Sequence, residues 1–364
     1  MRHLHVVLPG NVDDPGRPSG GNTYDLKVCR GLREMGWTVN EHRAVGSWPA
    51  PDAVSRQQLR ETLASIPAGA VVLVDGLVGS AVPDVLVPES GRLRIVVLVH
   101  LPLGYCPSTT SVAGQVDEGP LDAAFERERE VLTAAAAVVV TSTWTRAWVV
   151  ESYGLEGERV RTVEPGTDHA ELTATAESGG RLLCVGAVSR PKGHDTLVDA
   201  LAGVRDLDWD LRFIGALDID PVLVAGLAQR AVAAGVRDRL TVAGPATETE
   251  VAAAYAGADL LVLASRSETY GMVVTEALAR GLPVVATAVG GVPQALGYGD
   301  GPTRPGLLVP PDDARALGEA LRSWLLDPNL RRVLRAAALE RRTRLPSWSV
   351  TCADLAEALH EAAS

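Results

Sequence analysis

What most constrains this chain is a rhythm. Short apolar runs of four to seven residues alternate with longer segments whose apolar residues recur every three or four positions. In the first half the runs are "LHVVL", "WTVNE", "VVLVD", "RIVVLVH", "AVVVTS" and "VRTVE"; in the second they are "RLLCVGA", "LRFIG", "LTVAG", "LLVLAS", "PVVAT" and "GLLVP". Between them lie amphipathic stretches such as "NTYDLKVCRGLREMG", "HDTLVDALAGV" and "ETEVAAAYAGA". A strand covered on both faces reads as a continuous apolar run, and helices between such strands supply the cover, so the rhythm predicts parallel α/β sheets. It occurs twice with similar strand counts, and 364 residues exceed what one core organises.

The polar, aperiodic stretch "EPGTDHAELTATAESGG" divides the two series. The expected domains are residues 1–170, joined by the last helix over 347–364, and residues 171–346. In open parallel sheets ligands bind beyond the carboxyl ends of the strands, so residues just after strands are the functional candidates.

Charge removes several alternatives. The formal net charge is −11 and neither half has a basic excess, so nucleic acid is not an expected partner and membrane association is not expected. Cys29, Cys106, Cys184 and Cys352 are scattered without metal-ligand spacing, which predicts free thiols in a cytoplasmic protein. "MRHLHVVLPGN" lacks a signal-peptide core, and "VLTAAAAVVV" is too short to span a bilayer. His3 and His5 have no third partner, and the acidic runs "DLDWD" and "LDIDP" read as solvated loops, so no metal is expected.

Of 34 basic residues only Lys27 and Lys192 are lysine. Lys27 falls on a helical pattern as a solvated charge. Lys192 stands with Arg190 in "GAVSRPKGHD", after a strand and immediately before a helix, where free N–H groups and two cations make an anion site. In "SRSETYGMVVTEALARG" two carboxylates, Glu268 and Glu276, flank a strand-to-helix turn, with the helix starting near Gly271 or Met272. A diphosphate could lie against both helix starts, Glu268 beside an adjoining sugar and Glu276 on a ribose diol. A glycosidase pair is the poorer reading, because a neutral glycoside needs no neighbouring cations.

In the first half no G-x-G-x-x-G follows the opening strand. Instead Gly20 and Gly21 stand directly before a helix and would let a phosphate or hydroxyl approach the backbone. His100 ends a strand, where it could hydrogen-bond a ligand or act on it, and Asp75 ends another, where it could line an acceptor pocket.

"SETYGMVVTEALARGLPVVATAVGGVPQAL" resembles the E-x7-E signature of retaining glycosyltransferases of family 4, which have the two-Rossmann GT-B fold. "SGGNTYDLKVCRGLREMGWTV", "EPGTD", "VGAVSRPKGHDTLVDAL" and "GLLVPPDD" are similar to further family segments, in the family's order. "SWSVTCADLAEALHEA" resembles its terminal helix, which crosses back to the first domain. Gln294 and Gly36-Trp37 depart from common family residues, outside the donor signature.

The resemblance implies two Rossmann-like α/β/α domains facing each other across a cleft, and retaining transfer of a hexosyl group from a nucleotide sugar, UDP-linked by default, to a soluble hydroxyl acceptor. Arg190 and Lys192 would hold the diphosphate and Glu276 the ribose. Glu268, Thr269, Tyr270, Gly271 and Met272 would hold the sugar and adjoining phosphate, with Gly21 and His100 approaching the donor from the other domain. No cofactor is required, and a monomer or homodimer is expected. The alternatives are a GT-B sugar-nucleotide epimerase and a non-catalytic nucleotide-sugar-binding protein.

Overall fold

A computed structural model describes residues 2–16, 18–105, 118–174, 176 and 178–363, with only the backbone of 118–120. Cys106 lies outside them. Two compact units emerge, one of residues 1–14, 20–166 and 346–364, the other of residues 15–19 and 167–345. The sequence divisions had been placed at 170/171 and 346/347.

The first unit holds a six-stranded parallel sheet: β1 (His3–Pro9), β2 (Thr38–Ala44), β3 (Val71–Asp75), β4 (Arg94–Val99), β5 (Ala137–Val140) and β6 (Val160–Thr162) in the order β2-β1-β3-β4-β5-β6. The second holds β7 (Arg181–Val185), β8 (Asp210–Ile214), β9 (Leu240–Val242), β10 (Leu260–Leu263), β11 (Val284–Thr287) and β12 (Gly306–Val309) in the order β12-β11-β10-β7-β8-β9. Every pairing is parallel. Each of the twelve apolar runs became a strand. Asp210 opens β8, so the run "DLDWD" is not wholly the solvated loop expected of it.

Period-two geometry lets each central strand feed two cores. Ile95, Val97 and Val99 of β4 pack on one face, and Val96 and Leu98 on the other. In β10, Leu260 and Val262 divide likewise from Leu261 and Leu263. The C-terminal helix Trp348–Ala363 belongs to the first unit, where Cys352, Leu355 and Leu359 join Val28, Cys29 and Leu32 of the helix Gly20–Glu34. Leu355 and Leu359 are fully buried, worth about 1.5–3 kcal/mol each. The helices meet at Gly31, where an added Cβ would lie 2.3 Å from Cys352 Sγ.

No helix among the described residues is long and apolar enough to cross a membrane. Cys29, Cys184 and Cys352 are free and buried.

Candidate functional site

Each sheet has one topological switch point, where the chain leaves a strand on one side and later returns on the other. In the second unit it lies between β7 and β10, which are hydrogen-bonded neighbours. In open parallel sheets ligands bind at the carboxyl ends of the strands at such a point. Both signature segments sit there.

After β7, Arg190–Lys192 forms a single 3-10 turn that Gly193 closes before the helix His194–Ala202. Gly193 has φ +62°, and a Cβ there would stand 2.0 Å from the Ala264 carbonyl oxygen at the end of β10. Only glycine allows the two loops this close. After β10, Ser265 to Gly271 leads into the short helix Met272–Leu278.

Lys192 Nζ lies 2.5 Å from Glu268 Oε1, and Ser265 Oγ donates to the same oxygen at 2.9 Å. The signature lysine and the first signature glutamate, assigned from sequence to different parts of a ligand, therefore hold each other. Each charge is the other's partner in half-buried surroundings. Arg190 is more open, its side chain 59% exposed and Nε 3.5 Å from Asp220 Oδ2.

Glu276 stands on the inner part of the short helix. Its Oε2 accepts a bond from Tyr255 Oη at 2.9 Å, and Tyr255 is buried. Burial raises the Glu276 carboxyl, the Tyr255 bond and the Arg280 charge hold it back, and Asp168 of "EPGTD" adds to the rise. Arg280 lies 4.6 Å over the Tyr255 ring and donates to the Glu276 carbonyl at 2.8 Å. Beneath Lys192, His194 is pulled down to about 4 by burial and the lysine charge, so it stays neutral.

Arg266 shapes the site without having been singled out from sequence. Its guanidinium donates to Asp195 Oδ1 at 2.9 Å, Asp195 Oδ2 at 3.0 Å, Asp312 Oδ1 at 2.5 Å and the Arg190 carbonyl at 2.7 Å. Its backbone N–H meets the Pro191 carbonyl at 2.7 Å. One side chain thus ties the post-β7 turn, the next helix and the post-β10 loop together. Gly290 and Gly291 do the same by close packing. A Cβ on Gly290 would lie 1.7 Å from the Glu268 carbonyl oxygen, and Gly291 N donates to that oxygen at 3.0 Å. The double glycine after β11 was the sequence signal for this, whereas Arg266 is one arginine among 32.

Of the other predicted residues here, Thr269 and Met272 are half-buried and Gly271 begins the helix at φ +95°. Tyr270 requires a correction: its side chain is 2% exposed and belongs to the apolar core under β10 and β11, so its ring does not reach a ligand.

The first unit's switch point lies between β1 and β3. Gly20 and Gly21 occupy the first turn of the helix Gly20–Glu34, not the residues before it. First-turn amides have no intrahelical acceptor and are left to bond other groups. Gly21 packs on His100, where an added Cβ would stand 3.1 Å from Cδ2 of the ring. His100 Nε2 is 2.9 Å from Asp25 Oδ1 and 3.6 Å from Asp75 Oδ2. Asp75 does not line an open pocket as expected. It is 5% exposed, because its Oδ1 caps the next turn by accepting from Leu77 N at 2.7 Å.

Asp25, 1% exposed, was missed from sequence because a single aspartate within a helical pattern looks like a solvated charge. Burial, then the Asp25 carboxylate, pushes Asp75 up to about 8. Burial pulls His100 down, but Asp25 and Asp75 outweigh it and the net direction is up.

Residues 171–341 match the family model described as glycosyl transferases group 1. The chain is 33% identical over 251 residues to a D-inositol 3-phosphate glycosyltransferase of Pseudarthrobacter chlorophenolicus, covering 65% of this chain and 58% of that protein. It thus spans under two thirds of that relative's length. Sucrose-phosphate synthase from Thermosynechococcus elongatus superposes with a TM-score of 0.78 at 23% identity, over 98% of each chain. Anabaena HepE in complex with UDP-glucose gives 0.76 at 18% identity, over 99% of this chain and 100% of that one. These structures share the two-domain GT-B fold with this chain, and residues 171–341 carry its likeness to glycosyl transferases group 1.

Proposed function

We propose that this chain is a retaining glycosyltransferase that moves a hexosyl group from a nucleoside-diphosphate sugar, UDP-linked first, to a hydroxyl of a soluble acceptor bound by the first unit. The observation that carries the reading is the placement of Lys192, Glu268 and Glu276 at the β7/β10 switch point, with Lys192 and Glu268 paired and Glu276 held by Tyr255. A donor diphosphate would take Lys192 from Glu268, with Arg190 closing on the same charge. Glu268 would then be released to the sugar hydroxyls, while Glu276, still held by Tyr255, meets the ribose diol.

Charge builds on the departing diphosphate as the glycosidic bond breaks, and prepositioned cations stabilise that charge more than the ground state. In the front-face route implied for the family, the leaving phosphate oxygen takes the acceptor's proton. No step is routed through a metal. UDP comes first as donor because HepE, a fold neighbour, is solved in complex with UDP-glucose. An epimerase would use the same donor site without an acceptor, and a binding protein would use it without turnover.

The test is a thermal-shift panel of UDP, GDP, ADP, their glucose and mannose conjugates, and NADH, followed by NMR of the anomeric product. At 100 times Kd a bound nucleotide adds about 2.7 kcal/mol of stability, several degrees of Tm. Stabilisation by NADH alone would sink the reading. An inverted product would refute retention, and UDP-sugar conversion without acceptor would favour the epimerase.

A further inference from the structure

We propose that Asp25 is a positioning residue for His100, gripping the ring through Nε2 so that Nδ1 is the nitrogen presented to a ligand. The geometry comes first. Asp25 Oδ1 and Asp75 Oδ2 address the same nitrogen, Nε2, at 2.9 and 3.6 Å. Nε2 therefore keeps its hydrogen in either protonation state, and Nδ1 is the nitrogen that gains or loses the titrating proton. Nδ1 has no partner among the described residues, and the side chain is 18% exposed. The ring cannot turn away. Gly21 packs against Cδ2, and the Tyr24 ring stands edge-on with centroids 5.2 Å apart and planes at 70°.

The surroundings fix the charge state. The helix Gly20–Glu34 presents Asp25 and Tyr24 to the ring, and β3 presents Asp75. The C-terminal helix reaches it only through Trp348 against Tyr24, and Lys27 is spent 5.9 Å over Trp348. The Tyr24 hydroxyl donates to the Val163 carbonyl at 3.2 Å, and burial keeps that phenol neutral. Among the described residues the ring's acidic neighbours are Asp75, pushed up to about 8 by burial and then by Asp25, and Asp25 itself, whose Oδ2 is buried without a hydrogen-bond partner.

The net rise of His100 favours its charged form, in which the Nδ1–H is a strong donor to a hydroxyl or phosphoryl oxygen. Which oxygen it meets rests on the glycosyl-transfer reading, whereas its protonation and tautomer do not.

The test is an NMR titration of the full chain labelled at the histidine ring nitrogens, with His100 assigned through His100→Gln. In the wild type, His100 should titrate above its ordinary value of 6.5 and carry hydrogen on Nε2 in the neutral form. Asp25→Asn should lower the midpoint by at least about one pH unit, since a lone opposite charge at this range shifts a group by that much or more. A wild-type midpoint at or below 6.5, hydrogen on Nδ1 in the neutral form, or an unmoved midpoint in Asp25→Asn would each overturn the assignment. If Asp25→Asn does not fold, the wild-type midpoint and tautomer decide. Failure of UDP to bind the same sample would instead defeat the glycosyl-transfer reading and leave the tautomer result standing.

Discussion

Lys192 Nζ and Glu268 Oε1 stand 2.5 Å apart, with the Glu268 side chain 10% exposed and that of Lys192 30%. On the glycosyl-transfer proposal, the pair occupies the place a donor diphosphate would take. A bound phosphate must outbid a carboxylate for the lysine, which favours ligands with a full diphosphate charge over weaker anions. Lys192→Ala should cut turnover about 100-fold or more, the scale seen when a positioned charge stabiliser is lost. Circular dichroism should remain native. Turnover within a factor of three of wild type would remove Lys192 from the mechanism.

Tyr255 has no ligand of its own to bind, yet it holds Glu276 in place. Tyr255→Phe keeps the ring under Arg280 and removes only the hydroxyl. The Glu276 carboxyl, already raised by burial, should rise further and lose its fixed orientation. UDP affinity should drop about tenfold, the worth of one hydrogen bond to a charged group. UDP calorimetry across pH 5–8 checks it, and the loss should deepen towards the acid end, where the variant's Glu276 takes up a proton first. Unchanged affinity throughout would mean that Glu276 does not bind the ribose.

The sequence disclosed the sheets because strands buried on both faces must be apolar throughout, which leaves no ambiguity of face. It singled out Arg190, Lys192, Glu268 and Glu276 because they follow strands at recognisable spacing, and the structure places all four after β7 and β10. It could not disclose that Lys192 meets Glu268, a pairing across 76 residues that depends on β7 and β10 being neighbours. Asp25, Tyr255 and Arg266 were illegible for a related reason. Each acts through residues brought close only by the fold, and each looks locally like an ordinary helix or loop residue. Tyr270 failed in the other direction, since a tyrosine inside a signature can be there to fill the core.

Arg266 should matter to the fold more than to the chemistry. Removing it leaves Asp195 and Asp312 without their shared cation, and its side chain is 12% exposed. Arg266→Ala should cost about 2–3 kcal/mol, somewhat less than a fully buried pair because both aspartates keep some solvent. Arg266→Lys should recover less than half, since an ammonium cannot reach Asp195, Asp312 and the Arg190 carbonyl together. Urea unfolding followed by tryptophan fluorescence measures both, and full stability in the alanine variant would contradict the tie.

Asp75 gives a stability prediction whose sign is unusual for a carboxylate. Its folded value of about 8 lies above the unfolded one, so the folded protein holds an extra proton between roughly pH 4 and 8. That contribution is complete below about pH 4 and is lost as pH rises towards 8, the reverse of an ion-paired aspartate. His100, also raised, loses its share in the same direction. Asp75→Asn keeps an acceptor for Leu77 N and abolishes the carboxyl's titration. Wild-type stability should therefore fall more steeply from pH 5 to 8 than that of the variant, and above about pH 8.5 the two curves should run parallel. Urea midpoints at five pH values would settle it, curves already parallel from pH 5 to 8 meaning that Asp75 is ionised in the folded protein at neutral pH.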